Sequence, residues 1–366
     1  MLRVGMLTSG GDCQGLNSAM RGVAKGLYEG RDNVEIFGYQ DGFRGLKDGD
    51  YRIMSPGDFS GILTRGGTIL GTSRQPFKEI NEPADETSSY EESRFEAMVR
   101  NYKMQKLDYL VVLGGNGSHK TAHALSEAGL KVVTLPKTID NDLWGTDMTF
   151  GFQSAVDIAT SVIDGIHTTA TSHGRVFIIE LMGHKAGWLT LHAGVAGGAD
   201  VILIPEIPYN FDSIQNALTK RHEAGKRFSI IAMAEGAITQ EEAEMSKKEF
   251  KQARADSKYP SIAYELAAKL MDDLDQEVRV TVPGHYQRGG TPCPYDRVFS
   301  TQCGAKAAEQ ILEGNHGIMV SMKNNQMTTV PLSEVAHKLK TVPVDHELLE
   351  QARSFGIFFG DEVAED

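Results

Sequence analysis

Seven consecutive positions, Pro136-Lys137-Thr138-Ile139-Asp140-Asn141-Asp142, bring together a lysine, a hydroxyl, an amide and two carboxylates. A carboxylate beside an alcohol can orient it and accept its proton as phosphate is transferred. A second carboxylate two residues away can hold Mg²⁺, directly or through water. Two glycine-rich segments are suited to the phosphate itself: Ser9-Gly10-Gly11-Asp12-Cys13-Gln14-Gly15 and Leu113-Gly114-Gly115-Asn116-Gly117-Ser118. Each follows an apolar run and precedes a helix-length segment, so bare backbone and a helix N-terminus face the same ligand. Ser118 is also a good helix cap. Neither segment has the spacing of a P-loop or a G-x-G-x-x-G fingerprint, which disfavours a nicotinamide dehydrogenase.

Three further segments carry polar and cationic groups: Glu180-Leu181-Met182-Gly183-His184-Lys185, Ala234-Glu235-Gly236, and the run from Arg279 through His285 and Arg288 to Gly290. Arg279, His285 and Arg288 leave one strand end and suit the clamping of a phosphate monoester. Arg175 opens another strand. The chain as a whole is acidic, with 37 Lys and Arg against 49 Asp and Glu and a net charge of −12. It has no basic block, so nucleic acid and anionic membranes are poor partners. An acidic chain that binds an anion must concentrate its cations locally, and strand ends are where they fall.

These residues need strands to hold them. Short β-branched runs at 3–7, 34–38, 107–113, 131–135, 175–180, 201–204, 228–234, 277–282 and 317–322 alternate with amphipathic segments at 16–29, 118–128, 151–168, 214–224 and 296–313. Runs such as Leu110-Val111-Val112-Leu113 read as parallel strands buried on both faces. The alternation implies stacked βαβ units. The expected fold is therefore α/β, two doubly wound lobes with mainly parallel sheets, and 366 residues are enough for both. Residues 81–93 read as an exposed loop, 241–257 as a solvated helix and 360–366 as a frayed tail. No apolar run is long enough to span a bilayer, and the start is too short for a signal peptide. Cys13, Cys293 and Cys303 form neither a metal-ligand spacing nor an even disulfide set. A reduced, cytoplasmic protein is expected.

Taken together the motifs closely resemble the 6-phosphofructokinase family. Gly10-Gly11-Asp12 with Gly15-Leu16-Asn17, Gly66 to Arg74, Gly114 to Ser118, Thr138 to Asp142, Met182-Gly183, Ala234-Glu235-Gly236 and Gly284 to Gly290 occur in family order. The resemblance implies a phosphoryl-donor lobe at 1–150 with part of the C-terminal region, and a fructose 6-phosphate lobe at 151–315. Residues 316–366 would form an extension packing back on the lobes. It implies transfer of the γ-phosphate of ATP to the 1-hydroxyl of fructose 6-phosphate. Asp140 would be the base, flanked by Thr138 and Asp142, with Lys137 in the catalytic group. Gly11, Arg74, Gln75, Gly115, Asn116, Gly117 and Ser118 would line the donor, and Asn116 and Asp142 would hold Mg²⁺. Thr138, Asp140, Met182, Gly183, His184, Glu235, Arg279, His285 and Arg288 would hold the sugar phosphate. Arg175 would reach in from a neighbouring subunit of a homodimer or homotetramer.

Three departures from the family pattern bear on this. Pyrophosphate-dependent members usually carry Asp where this chain has Gly117, and that carboxylate excludes the ATP α-phosphate; Gly117 leaves the space open. The same group carries Lys where this chain has Lys137 and many bacterial ATP enzymes have Gly, so a pyrophosphate-dependent phosphotransferase is the alternative. The pairing of Gly with Lys resembles an intermediate branch of the family. Exclusion is the harder constraint and favours ATP. Asn116 replaces an Asp expected at the metal, which predicts weaker Mg²⁺ binding or more reliance on Asp142. His184 replaces a common Arg and could alter sugar selectivity.

Overall fold

The computed structural model describes residues 1–84 and 92–361. Among them, twelve strands run in chain order: β1 (Leu2–Thr8), β2 (Val34–Tyr39), β3 (Tyr51–Met54), β4 (Tyr109–Gly114), β5 (Val132–Thr138), β6 (Phe150–Gly151), β7 (Val176–Leu181), β8 (Val201–Leu203), β9 (Ser229–Ala234), β10 (Val278–Thr281), β11 (Ile318–Lys323) and β12 (Gln326–Pro331). The chain divides into two units, one of residues 1–154 and 288–340, the other of residues 155–287 and 341–366.

The first unit holds an eight-stranded sheet ordered β12-β11-β5-β4-β1-β2-β3, with β6 beside β5. Its central pairs β5–β4, β4–β1 and β1–β2 are parallel, and β3 and β12 are antiparallel edges. Every residue of β4 and β5 is buried, as expected of strands covered on both faces, and β5 buries Thr134, Lys137 and Thr138 along with its apolar residues. The second unit holds a wholly parallel sheet ordered β10-β7-β9-β8. In it β7, β8 and β9 are likewise buried along their full lengths.

The expected boundary near residue 315 moves to 287/288. The cause is the helix Pro294–Leu312, which lies along the helix Leu16–Gly30 of the first unit. Their contact is made of small residues. A side chain added at Gly22 would come within 2.6 Å of the Thr301 carbonyl oxygen. Such close approach fixes helix 294–312 to the first sheet and carries residues 288–340 with it. The expected C-terminal extension is accordingly split. Strands β11 and β12 extend the first sheet beside β5, and Phe358 bonds to Ile202 and Asp200 of the second unit.

The two edge strands β3 and β12 and the two-residue β6 lie outside the nine expected runs. The charged segment 241–257 forms two helices, Gln240–Glu244 and Lys247–Asp256, each opened by a capping box and neither burying a residue. Pro83 bridges Ser93 at the base of the 81–93 loop; residues 85–91, and 362–366 of the expected tail, lie outside the described residues.

Candidate active site

Strands β5, β4 and β1 are neighbours and parallel, so the loops that leave their C-terminal ends are neighbours too. Thr8 pairs in register with Leu113, and Gly114 with Pro136. The three segments singled out by their chemistry, 9–15, 114–118 and 136–142, thus emerge side by side from one sheet.

Backbone contacts fix the first glycine loop. The Gly10 amide donates to the Ser73 carbonyl at 3.1 Å, and Thr72 Oγ1 donates to the Gly10 carbonyl at 2.7 Å. This brings the segment bearing Arg74 and Gln75 alongside, with Arg74 exposed. Ser118 Oγ donates to Ser9 Oγ at 3.0 Å and ties the second loop to the first. Lys137 is buried, and its ammonium donates to the Gly11 carbonyl. Burial pulls its pKa below the usual lysine range, and Arg288 adds to this while Asp140 and Asp12 oppose it. Cys13, buried beneath the loop, is pushed up to about 12, chiefly by desolvation, and stays a neutral thiol.

Arg288 was expected with the sugar-phosphate residues. Its Nη1 donates to the Asp12 carbonyl at 3.2 Å, and a side chain at Gly11 would run into its guanidinium. The turn Gly284–Arg288 ends where the chain enters the first unit, which is why Arg288 belongs with the glycine loop.

The turn after β5 is cross-braced. Thr138 Oγ1 accepts from the Asp140 amide at 3.1 Å, and the Thr138 carbonyl accepts from Thr149 Oγ1 at 2.8 Å. Asn141 adopts φ +50°, a left-handed conformation that Asn tolerates better than most residues. Asp142 is buried, and Asp140 is half-buried. Asn116 Nδ2 donates to Asp142 Oδ2 at 3.3 Å and to the Asp142 carbonyl at 3.4 Å. Gly117, at the head of helix Asn116–Glu127, is exposed, and a side chain there would meet no atom within 4 Å.

No cluster of three or more His, Cys, Asp or Glu side chains suited to a metal occurs among the described residues. Mg²⁺ does not need one: it binds through one or two carboxylates together with substrate phosphates and water. Asp142 with the Asn116 amide supplies hard oxygen donors beside the glycine loops, and the donor set fits Mg²⁺ on those terms.

In the second unit, Met182, Gly183, His184 and Glu235 come together at the C-terminal ends of β7 and β9. The His184 amide donates to Glu235 Oε1 at 2.9 Å, with His184 itself exposed at φ +53°. Gln287, fully buried, accepts from the Met182 amide at 3.3 Å and donates to the Gly284 carbonyl at 3.0 Å. It thereby fixes the turn that carries the exposed His285. Arg175 and Arg279 are placed elsewhere. Arg175 precedes β7, and Arg279 pairs in register with Phe177 near the same end. Both bond to Glu277, and both stand towards the N-terminal edge of a sheet about 20 Å long. Within one chain they do not join Met182 and His184.

Three contributors escaped the sequence reading. Gln287 sits inside the Gly284–Gly290 motif between cationic and glycine neighbours. His119 is fully buried in helix Asn116–Glu127, one turn after Gly115. Its Nδ1–H donates to the Gly115 carbonyl at 2.8 Å, and burial lowers its pKa to about 4, so the ring is neutral. Lys340 comes from 200 residues downstream of Asp140, and no local pattern announces it.

Glycine loops at helix starts, a lysine and two carboxylates at neighbouring strand ends are the groups phosphoryl transfer calls on. Comparison with known proteins agrees. The Phosphofructokinase family profile matches residues 3–311. A Spirochaeta thermophila protein named ATP-dependent 6-phosphofructokinase is 55% identical over 360 residues, covering 98% of each chain. One of the same name from Propionibacterium freudenreichii is 44% identical, covering 98% of this chain and all of its own. Among solved structures, a pyrophosphate-dependent phosphofructokinase from Nitrosospira multiformis superposes with a TM-score of 0.80 at 19% identity, over 100% of this chain and 93% of that one. The chain belongs to the phosphofructokinase family.

Proposed function

We propose that the chain transfers the γ-phosphate of ATP to the 1-hydroxyl of fructose 6-phosphate, giving fructose 1,6-bisphosphate and ADP in glycolysis. The observation that carries this is the turn after β5, where Lys137 and Asp140 stand beside two glycine loops at neighbouring strand ends. Asp140 accepts the proton of the attacking hydroxyl, and Thr138 Oγ1 fixes the Asp140 main chain. Lys137 sets positive charge beside Gly11, where the donor phosphates lie against bare backbone. Gly115, Asn116, Gly117 and Ser118 line the donor from the second loop, with Arg74 and Gln75 beside the first. When bound by Asp142 and Asn116, Mg²⁺ supplies neutralising charge to the donor's phosphate oxygens.

Met182, Gly183, His184, Glu235 and His285 hold the sugar phosphate. Arg288 sets its charge at the Gly11–Asp12 loop. Arg175 and Arg279, at the other sheet end, serve the site of a neighbouring copy, so the working form is a homo-oligomer. The residues 1–154 and 288–340 are read as the donor unit and the remainder as the sugar unit, acting in the cytoplasm, where both substrates are found.

ATP is favoured over pyrophosphate for two reasons: the open space at Gly117, and the ATP-dependent names of relatives 44–55% identical over nearly the full chain. Likeness to a pyrophosphate-dependent structure at 19% identity carries the fold alone. The test is initial rate with fructose 6-phosphate and Mg²⁺, comparing ATP and pyrophosphate at equal concentration. Turnover with ATP alone is expected. Turnover with pyrophosphate and silence with ATP overturns the donor assignment.

A further inference from the structure

We propose that Lys340 is a positioning residue for phosphoryl transfer, holding the turn that carries Asp140 and Asp142. It lies beyond the residues matched by the family profile and touches none of the motifs by sequence. Its ammonium donates to Asn141 Oδ1 at 3.0 Å, to the Thr146 carbonyl at 2.9 Å and to the Asp147 carbonyl at 3.0 Å. Three acceptors match the three N–H donors of a lysine. The side chain is therefore spent on the protein and is not presented to a substrate. Its main-chain amide adds a fourth tie, donating to the Asp142 carbonyl at 2.8 Å, and Leu339 bridges Leu143 in antiparallel fashion.

The target of these bonds decides their meaning. Asn141 is the single residue between Asp140 and Asp142, and it holds a left-handed conformation. Its side chain is clamped at both ends. Nδ2 donates to the Asp147 carbonyl at 3.3 Å, and Oδ1 accepts from Lys340 and, at 3.5 Å, from Thr149 Oγ1. The strongest donor on Oδ1 is the lysine. Burying an ammonium is costly unless its donors are satisfied by good acceptors. A cation kept at that cost on three oxygens of two adjacent turns cross-links the catalytic turn to residues 146–147. Without it, Asn141 has no charged partner, and the flanking carboxylates lose their fixed direction. A displacement of about 1 Å at a reacting group costs on the order of 100-fold in rate.

This inference rests on Asp140 being the base, and the experiment separates the two. Lys340→Met and Lys340→Cys are made in the full chain and assayed for kcat, for the KM values of ATP and fructose 6-phosphate, and for thermal midpoint. Lys340→Met is expected to lower kcat by about 10- to 100-fold while both KM values stay within about threefold. Alkylating Lys340→Cys with bromoethylamine rebuilds a lysine-length amine and is expected to restore most of kcat, with wild-type enzyme treated in parallel. Three results overturn the proposal: kcat near wild type in Lys340→Met; a raised KM with kcat kept, which makes the lysine a substrate ligand; or a kcat loss that tracks the folded fraction and is not rescued by the amine. Asp140→Asn is measured alongside. If it keeps turnover, the base assignment falls and takes this proposal with it. If it is dead while Lys340→Met is normal, only the positioning role falls.

Discussion

Asn116 Nδ2 donates to Asp142 Oδ2 at 3.3 Å, so an amide faces the carboxylate that is read as a metal ligand. The pair is self-satisfied without a cation, because the amide offers an N–H where a second carboxylate would offer only repulsion. Asn116→Asp removes that internal partner and adds a charge. The Mg²⁺ concentration for half-maximal rate is expected to fall by about tenfold, on the order of 1.4 kcal/mol. In EDTA the variant is expected to melt a few degrees lower than wild type, and Mg²⁺ should reverse the difference. An unchanged Mg²⁺ requirement would sink the assignment of Asn116 to the metal.

A side chain at Gly117 would meet only open space. Gly117→Asp is therefore expected to fold and melt like wild type. Its carboxylate would stand at the donor loop and repel the α-phosphate, cutting kcat/KM for ATP by at least about 100-fold. Rates with ATP and with pyrophosphate, measured on the same preparation, check this. Retained ATP turnover means that the open space does not select the donor.

Lys137 is buried with its pKa held below the lysine range by desolvation. A group kept charged against burial serves function more than stability. Lys137→Met preserves volume and removes the buried ammonium, at the cost of one donor to the Gly11 carbonyl. The thermal midpoint is expected to stay within a few degrees of wild type while kcat drops by about 100-fold or more. A collapse of the midpoint instead makes Lys137 a structural pin.

His119 titrates near 4 in the folded chain and near 6.5 when unfolded. Between those values the unfolded chain binds more protons, so native stability is complete above about pH 6.5 and falls as pH drops towards 4. The full span corresponds to about 3 kcal/mol. Urea unfolding at pH 7 and pH 5 should show this loss in wild type and a flatter response in His119→Gln, whose amide can still reach the Gly115 carbonyl. Equal slopes in the two proteins would remove His119 from the account.

Arg175 and Arg279 share Glu277 at the sheet edge opposite Met182. If they complete a neighbouring copy's site, Arg175→Ala and Asp140→Asn subunits are each inactive alone and recover on mixing. About a quarter of the wild-type rate is expected for randomly mixed dimers. No recovery after subunit exchange, confirmed by labelled chains, contradicts the shared site.

The sheet centres were legible because parallel strands buried on both faces are largely apolar, as β4 is and as β5 is up to Leu135 apart from Thr134. Strand β3 was not, since three of its four residues are exposed and its partner lies on one side only. The motif residues of the site were likewise readable, because glycine loops and carboxylates sit next to the strands that aim them. What could not be read were the supports that arrive from far along the chain. Lys340 reaches Asn141 across 199 positions, and Arg288 reaches Asp12 across 276. The packing of helix 294–312 along helix 16–30, with Gln14 Nε2 donating to the Gly289 carbonyl at 2.6 Å, brings Arg288 to that loop, and a contact between small residues leaves little periodic signal.

The interleaving of the two units bears on how the protein is born. The first needs residues up to 340, since β11 must dock beside β5, and the second needs Phe358 against its own sheet. A ribosome adding about 5–20 residues per second takes on the order of tens of seconds to deliver those last segments. Through that interval the first unit lacks β11 and β12, and the exposed flank of β5 is an open invitation to wrong pairing. For this chain, folding one unit before the next is made is not an available schedule, and an early stop codon anywhere before residue 318 would leave both halves unfinished.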